Sequence, residues 1–321
     1  MVANIRDAQA KIDAERLRRA AQMIAPTEAP DHEADPSEIL LDMSKLDGKT
    51  LMSRYREKMA KYATSPFDPN GHYIRFYPGG VTIWSGFPGI GKTTMIRQLI
   101  CHLLQRDQGV FTASLEEHPE DQIARMIETA AGTCNPNDHQ AQWFIDAFAD
   151  KLRVWAKVGL CQHKKLLGVI RKLAESGTSH VFIDSLMKLD VSSQDFEGQR
   201  NFANLLDATA KQTGCHIHLV AHPKKPQTAD QEPDLNDIGG AKEIGGIADN
   251  VLFVRRRRCD FPSATSSGVS IGVLKKRYGR GQLGSVTGWF HQELCQFSPE
   301  QFTVATKYLP ADAYVPYGEG A

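Results

Sequence analysis

An α/β fold on a mostly parallel central sheet is predicted by two patterns in this chain. From about residue 72 onward, short apolar runs alternate with stretches whose apolar residues repeat at helical spacing. One of those strand-to-helix turns reads Gly86-Phe87-Pro88-Gly89-Ile90-Gly91-Lys92-Thr93, which fits the G-x-x-x-x-G-K-[ST] phosphate loop. Val81-Thr82-Ile83-Trp84 before it suits a buried strand. Thr94-Met95-Ile96-Arg97-Gln98-Leu99-Ile100 after it suits an amphipathic helix.

Five regions are expected along the chain. Residues 1–25 carry a helix over 4–25, with Ile5, Ala8, Ile12, Leu17, Ala21 and Ile24 on one face. Residues 26–47 form a linker, since 25–38 are rich in Pro, Asp and Glu with nothing to bury. Residues 48–71 hold a second helix over 48–61 (Leu51, Tyr55, Met59 and Tyr62 lie three or four apart) and a polar turn at 65–71. Residues 72–300 form the main domain, and 301–321 a tail. Within the main domain, strands are expected at 109–115, 152–156, 179–184 and 215–221, and helices at 119–132, 163–176 and 197–213. Residues 133–150 read as a polar insertion. Shorter strands near 250–256, 269–276 and 283–290 close the sheet.

Composition narrows the class. The 321 residues are 41% hydrophobic, enough for a real core, and 38 basic residues balance 38 acidic ones. Neither an eighteen-residue apolar stretch nor a signal-peptide segment is evident, so a soluble cytoplasmic protein without membrane contact is expected. Six cysteines lie far apart with no C-x-x-C pair, which argues against a zinc knuckle or a disulfide scaffold. The charges are unevenly placed: Arg255 to Arg258 are consecutive, and Lys275-Lys276-Arg277 form a second basic cluster.

The chemistry collects at strand ends. Gly86, Gly89 and Gly91 let the backbone wrap a phosphate, and the helix behind adds its free N–H groups. Lys92 would reach the β- and γ-phosphates, Thr93 would ligate Mg²⁺, and Thr94 lies beside them. ATP or another nucleoside triphosphate with Mg²⁺ is therefore the expected ligand. Val181-Phe182-Ile183-Asp184 ends in an acid placed to hold the metal. Glu116 and Glu117 follow the strand at 109–115 and would face the γ-phosphate side; Glu116 is favoured as the base for an attacking water. Their other reading is as charges at a helix start. His222 ends the next strand, where it can sense the γ-phosphate. His216 and His218 read as packed strand residues rather than metal ligands. In the following loop Lys224, Lys225, Gly239, Gly240 and Lys242 suit contacts to a single-stranded phosphate backbone.

With these residues in place, the chain resembles the RecA-like motor domain of hexameric replicative helicases of the DnaB type, including phage and mitochondrial helicase–primases. The resemblance covers about residues 75–300. Its specific pieces, in this order, are Leu219-Val220-Ala221-His222, Asp234-Leu235-Asn236-Asp237-Ile238-Gly239-Gly240-Ala241, Ile247-Ala248-Asp249-Asn250 and Val273-Leu274-Lys275-Lys276-Arg277-Tyr278-Gly279. It implies a RecA-like phosphate-loop ATPase core with a short helical N-terminal extension. It also implies Glu116 as catalytic base, His222 as phosphate sensor, and Lys275 with Arg277 as a finger reaching a neighbouring subunit's nucleotide. The loop from Lys224 to Lys242 would track single-stranded DNA in a ring, expected as a hexamer. A primase, a polymerase or a loader would be further partners. No primase module precedes the motor, and its compact form looks phage- or mobile-element-derived. The competing expectations are a RecA/RadA-like recombination ATPase and a nucleotide-gated loader or scaffold.

Overall fold

In the computed structural model of the chain, residues 41–191, 195–223, 234–238, 242–257, 266–278, 283–301 and 303–315 are described. The expected helix at 4–25 and most of the linker lie outside them. The chain divides into two compact units at Arg54 and Tyr55. In the described part of the first, Asp42 caps a single 3₁₀ turn, Met43–Lys45, through the Ser44 N–H. Helix α1 (Gly48–Ala60) begins there and buries none of its residues.

The second unit is a nine-stranded sheet among the described residues. Five parallel strands form one side of it, with β5 at the edge: β3 (Val81–Gly86), β4 (Gly109–Ser114), β5 (Leu152–Val154), β6 (Thr178–Asp184) and β7 (His216–Ala221). β8 (Asn250–Arg256) pairs parallel to β3 on its other side. From there β9 (Ser266–Lys276), β10 (Ser285–His291) and β11 (Gln296–Ser298) run on as antiparallel hairpins. The sheet order is β11-β10-β9-β8-β3-β7-β6-β4-β5. A separate short pair, β1 (Ala63–Thr64) with β2 (Arg75–Phe76), precedes it.

All six residues of β3 and of β7 are buried, as expected for strands covered on both faces. On one face α2 (Lys92–Gln105), α3 (Pro119–Ala131) and α4 (Asp138–Phe148) pack Leu99, Met126 and Phe144 with Trp84 and Phe182. On the other, α5 (His163–Glu175) and α6 (Phe196–Thr213) pack Leu166, Ile170 and Phe202 against Ile83, Val181 and Ile217. The last named helix, α7 (Lys242–Ile247), buries Ile244 in that same layer.

Three differences from the sequence expectation have physical causes. The polar insertion at 133–150 contains α4, opened by a capping box in which Asn137 and Gln140 satisfy each other's backbone N–H. The turn at 65–71 is not a solvated loop. Asp68, 5% exposed, accepts the N–H groups of His72, Tyr73 and Ile74, which lets Phe67 and Ile74 enter the core. Beyond residue 300, Tyr308, Leu309 and Ala313 are buried, and the Gln98 amide donates to the Tyr308 hydroxyl.

His216 and His218 are packed and hydrogen-bonded, as expected, and so is His180. His180, His216 and His218 are 4% exposed or less. Burial holds His216 down at about 4 and the other two well below the usual imidazole range, with His216 adding repulsion to both. These groups are neutral when folded and take up protons once unfolded. Their contribution is intact above about pH 6.5 and is lost as pH falls from there towards 4. Stability should fall by about 1.4 kcal/mol per pH unit for each histidine in that window. Denaturant melts at pH 7, 6 and 5 check this; a midpoint that stays flat to pH 5 contradicts it.

Candidate nucleotide site

The site is built at the carboxyl ends of the parallel strands, where helix N-termini and loop amides converge. Register puts Ser85 level with Ala221, Gly86 level with Val254, and Ser114 level with Asp184. The tips of β3, β4, β6, β7 and β8 therefore share one rim. Phosphate-loop glycines are required by geometry. Gly91 caps α2 with φ 93°, and a Cβ there would lie 2.9 Å from the Phe297 ring. Gly86 has φ 150° and its backbone lies against the Val254 carbonyl with no space for a Cβ. Gly89, φ 72°, has open space around it, so conformation alone favours glycine there.

Lys92 is 6% exposed and donates to the carbonyls of Gly86 at 2.6 Å and Phe87 at 2.9 Å. Its ammonium is thus folded over its own loop, and burial lowers its pKa despite Asp184 and Glu116 nearby. Thr93 donates to Asp184 Oδ2 at 3.1 Å. Burial pushes the Asp184 carboxyl up to about 6, with Thr93 opposing the shift. A buried carboxylate against a hydroxyl is a donor set that fits a small hard cation. Thr94 is half-buried beside them at the start of α2.

The two acids after β4 separate. Glu117 forms an ion pair with Arg97, which is only 7% exposed at its side chain, so it is committed to holding α2. Glu116 Oε1 instead accepts from the Ser185 hydroxyl at 2.7 Å. His222 lies close enough to Lys92 and Glu116 for both charges to act on it, although burial is the main cause of its lowered pKa. Lys92, Thr93, Glu116, Asp184 and His222 are thereby gathered at one place. Ser185 and Arg97 were missed from sequence. The residue after a strand-ending Asp was the available signal for the first; nothing marked the second, whose partner lies 20 residues away.

Lys275 and Arg277 lie elsewhere. Lys276 at the end of β9 pairs with Asn250 at the start of β8, which is level with Thr82. The loop leaves β3 at Gly86, level with Val254, so about 13 Å of strand intervenes at ~3.3 Å per residue. Arg277 is anchored there by an ion pair to Asp249 at 3.1 Å. Lys275 donates to the carbonyls of Gly245 and Gly246 at 2.9 and 2.6 Å. Neither faces its own chain's phosphate loop. Of the expected DNA contacts, Lys224, Lys225, Gly239 and Gly240 lie outside the described residues; Lys242 opens α7.

Fold and site together define a RecA-like phosphate-loop nucleotide-binding domain. The chain belongs to the AAA domain family, whose profile matches residues 53–228. Among solved structures it is similar to an ATPase domain, with TM-score 0.65 and 19% identity over 78% of this chain and 99% of that one. It is also similar to a DnaB-like replicative helicase described with its interactions with primase, with TM-score 0.61 and 18% identity over 78% and 66% of the two chains. Among curated proteins, a Twinkle homolog, chloroplastic/mitochondrial, from Arabidopsis thaliana is 24% identical over 64% of this chain and 32% of its own length. A probable plasmid replicative DNA helicase from Chlamydia psittaci is 23% identical over 65% and 49%. The chain thus spans 32% and 49% of the length of these two curated relatives. Among the described residues, no helix is long and apolar enough to cross a membrane.

Proposed function

We propose that this chain is the motor of a ring-shaped replicative-type helicase, which hydrolyses ATP to move along single-stranded DNA and part a duplex. The observation that carries this reading is the separation of two charge sets on one sheet. Lys92, Glu116, Asp184 and His222 lie on the rim at the strand tips, while Lys275 and Arg277 lie at the opposite end of β8 and β9. A finger that cannot reach its own triphosphate serves a neighbour's, and a closed ring of copies puts one against the other.

In this reading, the loop amides and Lys92 bind the phosphates and Glu116, steered by Ser185, takes a proton from the attacking water. Mg²⁺, held by Thr93 and Asp184, would neutralise charge on the transferring group. His222 reports whether the γ-phosphate is present. Arg277 of the adjoining copy stabilises the transition state only when the seam is closed. Lys224, Lys225, Gly239, Gly240 and Lys242 are proposed to follow the DNA backbone, and the ring is proposed to be a hexamer.

Steady-state hydrolysis with and without single-stranded DNA, run beside strand displacement on a forked duplex, tests the reading. Stimulation that declines steeply with salt, together with displacement, is expected. Hydrolysis indifferent to polynucleotide sinks it. Stimulation without displacement favours a recombination ATPase, and binding without hydrolysis favours a loader.

A further inference from the structure

A cavity of about 510 Å³ opens at the amino ends of the parallel strands, the end of the sheet away from the phosphate loop. It lies between β1 and the starts of β6 and β7, within the size range of ligand sites. Three observations characterise its chemistry.

The first is a chain of hydrogen bonds that ends on the cavity wall. The Trp84 indole N–H can only donate, and it lies 3.2 Å from His218 Nδ1, so that nitrogen is an acceptor. His218 is then protonated on Nε2 and donates across 3.2 Å to His180 Nδ1. Neutral His180 therefore carries its hydrogen on Nε2, a donor with no hydrogen-bond partner among the described residues. His180 is 4% exposed and lines the cavity. That N–H is presented at the cavity wall, where an acceptor atom bound in the cavity would take it.

The second is charge. Lys61 and Arg106 line the cavity, and among the described residues no aspartate or glutamate does. Lys61 is ion-paired with Glu57 at 2.6 Å beside it, a surface pair that a phosphate would have to share, so Arg106 is the main charge offered. Arg106 Nη1 donates to His102 Nδ1 at 2.9 Å and to the His102 carbonyl at 3.2 Å. Burial pushes His102 down to about 3, so this partner stays neutral and leaves the guanidinium charge unbalanced. The third is shape: Phe76, Pro78 and Leu103 supply apolar wall beside these donors.

We propose that this cavity is a binding site for a small organic phosphate bearing a flat apolar ring. The ring would sit against Phe76, Pro78 and Leu103. The phosphate would meet Arg106 and Lys61, and an acceptor atom would take the His180 Nε2–H. Nothing in this assignment depends on the helicase reading.

Calorimetric titration of the full chain with phenyl phosphate tests it. One site with Kd below about 1 mM is expected. Arg106→Ala should weaken it by roughly tenfold or more, because a charge-assisted contact is lost. That side chain is exposed, so loss of its two contacts to His102 should lower the thermal midpoint by a few degrees at most. Lys92→Ala should leave the affinity unchanged, which separates this site from the phosphate loop. Inorganic phosphate and benzyl alcohol should each bind more weakly than phenyl phosphate, since each offers half of the recognition. In a ¹⁵N-histidine spectrum, phenyl phosphate should shift the His180 Nε2 resonance. No heat up to about 10 mM phenyl phosphate overturns the proposal. So does an affinity that falls with Lys92→Ala but not with Arg106→Ala.

Discussion

Lys92→Ala should reduce ATP hydrolysis by about 10²–10³-fold, equivalent to about 2.7–4 kcal/mol of transition-state stabilisation, while leaving the fold intact. The size follows from the environment. Lys92 is buried, its pKa is depressed by desolvation, and among the described residues its ammonium donates to two loop carbonyls, with Asp184 and Glu116 attracting it from nearby. Those carbonyls are weak partners for a full charge, so a triphosphate can draw the ammonium away from them at little cost. The charge also costs free energy in the folded protein without nucleotide. Replacing it with Ala removes that cost along with the two hydrogen bonds, and the thermal midpoint should change by only a few degrees. The protection that ATP gives against heat should disappear, because linkage needs affinity. Hydrolysis rates and melting with and without ATP check both halves. A variant that still hydrolyses at near the parental rate would show that another cation serves the phosphates.

Much of this site was legible along the chain because it is made of short local patterns. The phosphate loop is eight consecutive residues, and its glycines are dictated by backbone shape at Gly86 and Gly91. Asp184, Glu116 and His222 each end or follow a strand, so alternation of strand and helix placed them on one rim. Pairings across the fold were not legible. Whether Glu116 or Glu117 is available depends on Arg97 of α2, which claims Glu117. The hydrogen-bond chain through Trp84, His218 and His180 depends on three adjacent strands, and sequence offered only histidines at alternate positions. Two-residue strands such as β1 and β2 carry too little periodicity to be read. Helix α4 hid behind polar residues, although its Asn137 and Gln140 spacing was a usable start signal.

Two inactive variants should restore each other. Arg277→Ala keeps a complete rim (Lys92, Glu116, Asp184) but offers its neighbour no finger. Glu116→Gln keeps the finger but lacks the base. In a ring with each site split across a seam, a seam works when an Arg277→Ala rim faces a Glu116→Gln finger. Random assembly from equal amounts gives that arrangement at about one seam in four, so hydrolysis should return to roughly a quarter of the parental rate. The argument rests on where β9 ends. Lys276 is level with Asn250, and Arg277 is tied to Asp249, so this guanidinium cannot turn to its own loop without breaking an ion pair to a 4%-exposed carboxylate. That anchor adds a second expectation. Asp249 also accepts the Val81 N–H at 3.0 Å, at the foot of the strand that carries the phosphate loop. Asp249→Asn should keep that bond yet release Arg277, lowering hydrolysis in assembled protein more than it lowers nucleotide affinity. Co-assembled variants, purified on two tags and assayed for phosphate release, supply the measurement. If the two variants co-assemble and mixing still restores nothing, each chain completes its own site and the seam plays no part in catalysis.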